Sequence, residues 1–170
     1  GVLYEDDFTT PVKYVWALGS TNWSTFNQPI CIDGKLISGT YTESSEAKFA
    51  LLNGLGADNW TNYTVEADIT AGVANDRTCY VAIYGGTKGN TVYGDAYQFG
   101  FLGSSGYFIL RQTATTVSRN SEEIKRLPIS YFFDDFKKGD TIRLSLAAVT
   151  DNAGVTLICK ATYKGKTEVI

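Results

Sequence analysis

An all-β fold, two antiparallel sheets packed as a sandwich or closed as a barrel, follows from the sequence on three grounds. The first is Asn62 to Thr70, NYTVEADIT, where Tyr63, Val65, Ala67 and Ile69 alternate with Thr64, Glu66, Asp68 and Thr70. A strand sends successive side chains to opposite faces, so this segment has one buried and one wet face. The second is recurrence: roughly a dozen short apolar segments, broken by Gly and Asn, with no βαβ rhythm. The third is hairpin chemistry. Asp33-Gly34 lies between ICI and KLI, and Lys164-Gly165 lies between ICKATY and KTEV, both favoured two-residue turns.

In chain order, LYEDDF (3–8) reads as an opening strand and Tyr14–Leu18 as a short apolar piece. The Asp33-Gly34 hairpin and AKFALL (47–52) follow. RTCYVAIY, DAYQFGF and GYFILR then continue the strands after NYTVEADIT. TTVSRNSEEIK, 115–125, is polar and reads as a long loop at the rim. One helical turn is expected near Ser130–Phe136. Ile142, Leu144, Leu146 and Ala148 point inward from the next strand, and Val155, Leu157, Cys159 and Ala161 from the one after it. KTEVI reads as a strand wanting a successor, so the domain is either trimmed at its C-terminus or left with an open edge.

The 170 residues suit one domain, 1–170, with a sizeable core. A net charge of -3, with Lys137-Lys138 as the longest basic cluster, argues against nucleic acid. No apolar run is long enough for membrane insertion as a helix. Cys31, Cys79 and Cys159 fit no zinc spacing; Cys79 and Cys159 alternate with core residues and read as buried thiols. Gly85-Gly86-Thr87-Lys88-Gly89 reads as a hairpin turn, because no helix follows to make it a phosphate loop.

The order DDF, IDGKLISG, NYTVEADI, AYQFGF, GYFILRQ, KKGDTIRLSL and YKGKTEV resembles the concanavalin A-like, laminin-G-like sandwich domains over nearly the whole chain. That resemblance implies a two-sheet antiparallel jelly-roll whose concave face commonly binds glycan. It implies an extracellular, cell-surface or periplasmic location, and in some members a structural calcium ion. Asp7 matches the first part of the calcium site; the C-terminal acidic strand that completes it is absent.

The candidate ligand face collects outward residues from successive strands: Glu66 and Asp68, then Tyr80 and Tyr84, then Gln98, then Tyr107 and Arg111, with Trp60 just before the first of them. If these strands are neighbours, they form one patch. Aromatic rings stack on the C–H faces of sugars, while carboxylates, amides and Arg hydrogen-bond hydroxyls. Arg111 has the fork to take a uronate or sulfate. Trp16 and Trp23 are further aromatics, read as core or end-covering residues. A cross-strand Glu66–Arg111 pair is the structural alternative.

The chain has no His, which removes Ser-His-Asp and Cys-His triads. Sandwich glycosidases carry Glu-x-Asp-x-Glu on one strand; here the third acid is Thr70, so one essential carboxylate is missing. A non-catalytic glycan-binding module is therefore expected. The alternatives are a laminin-G-type module gripping a surface protein and a divergent hydrolase.

Overall fold

The computed structural model of the chain describes residues 1–9, 16–20, 30–32, 35–37, 48–52, 61–70, 78–84, 96–102, 106–113 and 121–170. The chain divides into two compact units, Gly1–Asn59 and Trp60–Ile170. In the first, β1 (Trp16–Ser20) pairs antiparallel with β4 (Lys48–Leu52), and β2 (Ile30–Ile32) with β3 (Lys35–Ile37). The β2–β3 register, Ile32 opposite Lys35, is that of the two-residue hairpin expected at Asp33-Gly34. Residues 3–8 form no strand. Asp6 accepts the Tyr4 hydroxyl and the Phe8 amide, and Phe8 takes a positive φ of 55°, so local side-chain-to-backbone bonding displaces the extended form.

The second unit is two four-stranded antiparallel sheets. Sheet I runs β12-β11-β10-β5 and sheet II runs β6-β7-β8-β9. Their strands are β5 (Thr64–Thr70), β6 (Thr78–Tyr84), β7 (Ala96–Leu102), β8 (Tyr107–Thr113), β9 (Ser121–Pro128), β10 (Thr141–Asp151), β11 (Gly154–Tyr163) and β12 (Lys166–Val169). The chain leaves sheet I after β5, makes sheet II as a meander, and returns so that β10 lies beside β5. No α-helix occurs among the described residues; the expected helical turn is a 3-10 turn at Ile129–Tyr131. β10 is an unbroken β-branched and leucine-rich alternation, which suits a central strand.

The period of two becomes a sandwich core. Val81, Ile83, Phe99, Phe101 and Phe108 from sheet II meet Ile142, Leu144, Leu146, Cys159 and Ala161 from sheet I, all buried. The segment between β9 and β10 brings Ile129, Phe133 and Phe136 to the same core. Phe133 and Phe136 pack edge-on against Tyr163 at 5.7 and 5.4 Å, and Phe136 against Phe101 at 5.9 Å. Edge-to-face rings of this kind add to area burial. The Tyr163 hydroxyl donates to Asp140 at 2.6 Å, so its polar tip is satisfied at the rim. Burial pushes the Cys159 thiol up to about 11, and raises Cys79 as well; both are free. The Cys31 side chain lies outside the described residues.

Three sequence expectations need amending. The polar stretch 115–125 is strand from Ser121 onward. A bulge between Leu110 and Arg111 places an extra residue in β9, which breaks its alternation and conceals it. Val155 is not core: it is 55% exposed, with Val149 at 42%, because the β10–β11 hairpin runs beyond the sandwich before turning at Asn152-Ala153. The outer strand β12 is protected by charge. Lys166 and Glu168 pair at 2.9 Å, and Lys166 also donates to the Phe132 carbonyl. Charges at this position blunt an edge against further strand pairing. The closing turn has φ of 48° at Lys164 and 82° at Gly165, the two positive values that this hairpin type requires.

Leu144→Ala should cost about 2–5 kcal/mol in denaturant unfolding. Val155→Ala should stay within about 0.5 kcal/mol. Equal effects would contradict the core assignment.

Candidate functional site

β5 has the faces its sequence dictates: Val65, Ala67 and Ile69 turn inward while Glu66 and Asp68 are exposed. Its neighbour is β10, however, so these carboxylates stand on the outer face of sheet I. Tyr80, Gln98 and Arg111 stand on the outer face of sheet II, opposite in parity to Val81, Phe99 and Leu110. The single expected patch is thus two patches on opposite sides of the sandwich, and a Glu66–Arg111 pair is ruled out. The reason is topological: alternation assigns a face to each residue, but only pairing assigns a strand to a sheet.

On sheet I, Asp68 faces Arg143 in register. Arg143 donates from Nε at 2.7 Å and from a terminal nitrogen at 2.9 Å, a bidentate pair. The hydrogen bond from Arg143 holds the Asp68 carboxyl below its ordinary 3.8. Glu66 faces Ser145, with Lys160 beyond it. Arg143 was implicit in the alternation of IRLSLAAV: if Ile142 and Leu144 point in, Arg143 points out.

On sheet II the geometry converges. Gln98 Oε1 accepts from Arg111 Nε at 2.6 Å, and the Arg111 guanidinium lies 5.1 Å from the centre of the Tyr80 ring. Tyr80 is on β6 and Arg111 on β8, so their contact crosses over β7. Gln98, expected on a wet face, is 1% exposed: it has the predicted parity, but the middle of this face is buried, with Ala96 and Ile109 of the same parity at 1% and 6%. Gly100 sits opposite Tyr80 in the ladder. A Cβ there would collide with the Cys79 carbonyl oxygen and approach the Tyr80 Cβ to 2.6 Å, so only glycine lets β6 and β7 lie this close.

β9 adds residues that the loop reading missed. Glu123 lies opposite Arg111 in register, but its carboxylate is taken by Arg126, at 2.7 to 3.1 Å. Arg126 in turn lies 5.7 Å from the centre of the Tyr107 ring. Two tyrosine–arginine stacks therefore flank Ile109 on one face.

Tyr84 lies opposite Ala96 at the end of β6; its side chain, together with Trp60, Trp23 and 85–89, lies outside the described residues. Asp7 is exposed, and its Oδ1 accepts both the Thr9 amide and the Thr9 hydroxyl, which lower its pKa. Calcium takes six to eight oxygen ligands. Among the described residues no group of three or more acidic, His or Cys side chains gathers to hold a metal; Asp7 stands beside Asp6 alone.

No family model, curated protein or solved structure matches the chain.

Two outcomes follow. Gly100→Ala should destabilise by about 1–3 kcal/mol in denaturant unfolding, because backbone rather than a flexible side-chain end must give way. For Asp68, the folded pKa is lowered, so its contribution is complete above the ordinary carboxylate value of 3.8 and is lost as pH falls through the lower folded one. The pair is half exposed and worth only about 0.2–1 kcal/mol. Asp68→Asn should therefore melt slightly below the wild type at neutral pH, and the two melting curves should converge in that acid window; a gap that persists there would contradict the pairing.

Proposed function

We propose that the chain is one concanavalin A-like jelly-roll domain over 1–170, a non-catalytic carbohydrate-binding module of a secreted or cell-surface protein. The observation that carries this reading is the convergence of Tyr80, Gln98 and Arg111 on the outer face of sheet II, joined by Tyr107 and Arg126. An aromatic and polar surface built on rigid strands suits a ring-shaped, hydroxyl-rich ligand: ring faces take C–H surfaces, and guanidinium and amide groups take hydroxyls. The ligand is placed on sheet II rather than across all the expected residues, because Glu66 and Asp68 belong to the opposite side.

The binding reading is favoured over hydrolysis by the state of Asp68. A carboxyl paired bidentately with Arg143 and held below its ordinary pKa is ionised at neutral pH, so it cannot act as a general acid there. The chain's lack of His removes the other common proton carrier.

Gripping of a surface protein by the loop rim is the second reading, favoured by the β10–β11 hairpin end, where Val149 and Val155 stand in solvent. A glycan array separates the two. The wild type should bind at least one glycan class, Tyr80→Ala should lose about tenfold, the scale of one ring contact, and Glu66→Gln should bind as the wild type does. Folded protein that binds no glycan, or binding lost with Glu66→Gln and kept with Tyr80→Ala, would refute the sheet II reading.

A further inference from the structure

We propose that Arg111 reads an anion, and that the glycan bound on sheet II is acidic, carrying a uronate carboxylate or a sulfate. This rests on the glycan reading above and adds the chemical class of its ligand.

The half-buried guanidinium of Arg111 has three approaches, and two are spent on neutral partners. Nε donates to the Gln98 amide oxygen at 2.6 Å, and the planar face lies over Tyr80 at 5.1 Å. Neither partner carries negative charge, so both fix the position of the group and leave its charge uncompensated. The acid placed to neutralise it, Glu123 across the ladder, is bound to Arg126 through both carboxylate oxygens. The two terminal nitrogens of Arg111 have no hydrogen-bond or ion-pair partner among the described residues. They form the fork that matches the two oxygens of a carboxylate, or two of a sulfate.

The arrangement is pre-organised. Gln98 is almost wholly buried on a central strand and holds Nε, while Arg111 itself keeps part of its surface in water, so the terminal nitrogens are the part of the group left for a ligand. A glutamate at this position would hold the same nitrogen but cancel the charge. The face as a whole favours an anion: among its described side chains two cations, Arg111 and Arg126, stand against one carboxylate, Glu123. A neutral sugar leaves the fork with hydroxyls alone, which neither neutralise its charge nor present the paired oxygens that it takes bidentately.

The test is calorimetric binding of three glycan sets at low and moderate salt: a polyuronate, a sulfated polysaccharide and neutral β-glucans. Wild-type protein should bind one or both acidic sets, more weakly as salt rises, and bind the neutral set at least tenfold more weakly. Arg111→Gln should lose about tenfold or more on the acidic ligand. Gln98→Glu should lose it comparably, because it supplies an internal counter-ion while keeping the Nε bond. Arg111→Lys, which keeps the charge without the fork, should also fall, and thermal melting confirms that each variant is folded. Equal binding of neutral and acidic sets overturns the anion inference and leaves the glycan reading standing. Absence of binding to all three overturns both. A folded Arg111→Lys or Gln98→Glu protein that binds acidic glycan as the wild type does overturns the assignment to Arg111.

Discussion

The mutual filling of two sheet faces is the constraint on which the Trp60–Ile170 unit depends. Phe99, Phe101 and Phe108 have no other place to bury their rings than against Leu144, Leu146 and Ala161, and the reverse holds for sheet I. Burying such side chains is worth about 1.5–3 kcal/mol each, so any change that flips a strand's register sends several of them into water at once. The register of β7 is consequently rigid, and with it the outer-facing Gln98 and Gly100. The outer face of sheet II inherits its precision from the core behind it.

The end of the sandwich follows the same logic. Between β9 and β10 the chain must cross from one sheet to the other, and the crossing is where a core leaks. The IleSerTyrPhePheAspAspPhe run handles this by alternating function within a few residues. Ile129 and Phe133 enter the core, Phe136 seals against Tyr163, and Asp135 and Asp140 engage Lys164 and the Tyr163 hydroxyl at the rim. The 3-10 turn covers Ile129–Tyr131, and the turns that follow it carry Phe133, Phe136 and the two aspartates.

Legibility in the sequence tracked how local the determining physics is. β5, β6, β7, β8, β10 and β11 each contain their own alternation, and the closing hairpin contains its own turn chemistry, so these elements could be read without knowing their neighbours. β9 could not: it carries an extra residue between the partners of Leu110 and Arg111, and that bulge shows only against β8. The hairpin end at Val155 was misread because alternation records parity and not the distance from the core. The candidate site shows the same division. The outward parity of Glu66, Asp68, Gln98 and Arg111 was local and readable. Whether they share a surface was not, because sheet membership is decided by the non-sequential pairing of β5 with β10, about seventy residues apart in the chain. The contact that anchors the sheet II face, Gln98 to Arg111, arises only when β7 pairs with β8, whereas Arg126 to Glu123 lies within β9.

The contrast between the two arginine pairs on opposite faces sets the roles of both. Arg143 and Asp68 pair in register and in solvent, where such a pair contributes little energy. Arg111 is treated in the opposite way: withdrawn further from water, given an amide and a ring in place of a carboxylate, and separated electrically from the one acid within the ladder's reach. A partly desolvated cation whose partners among the described residues are neutral has lost some hydration without regaining it there through an ion pair, and it is more weakly screened than a surface charge. Under the anion proposal, that deficit is recovered by an external oxyanion. The protein need not reorganise to receive it, because Gln98 and Tyr80 have already fixed the guanidinium plane. The same two neighbours explain how the residue is tolerated in the absence of ligand, through one short hydrogen bond and one cation–π contact. On this sandwich Arg111 and Arg143 are therefore distinguished by the charge of their described partners, neutral for Arg111 and a carboxylate for Arg143.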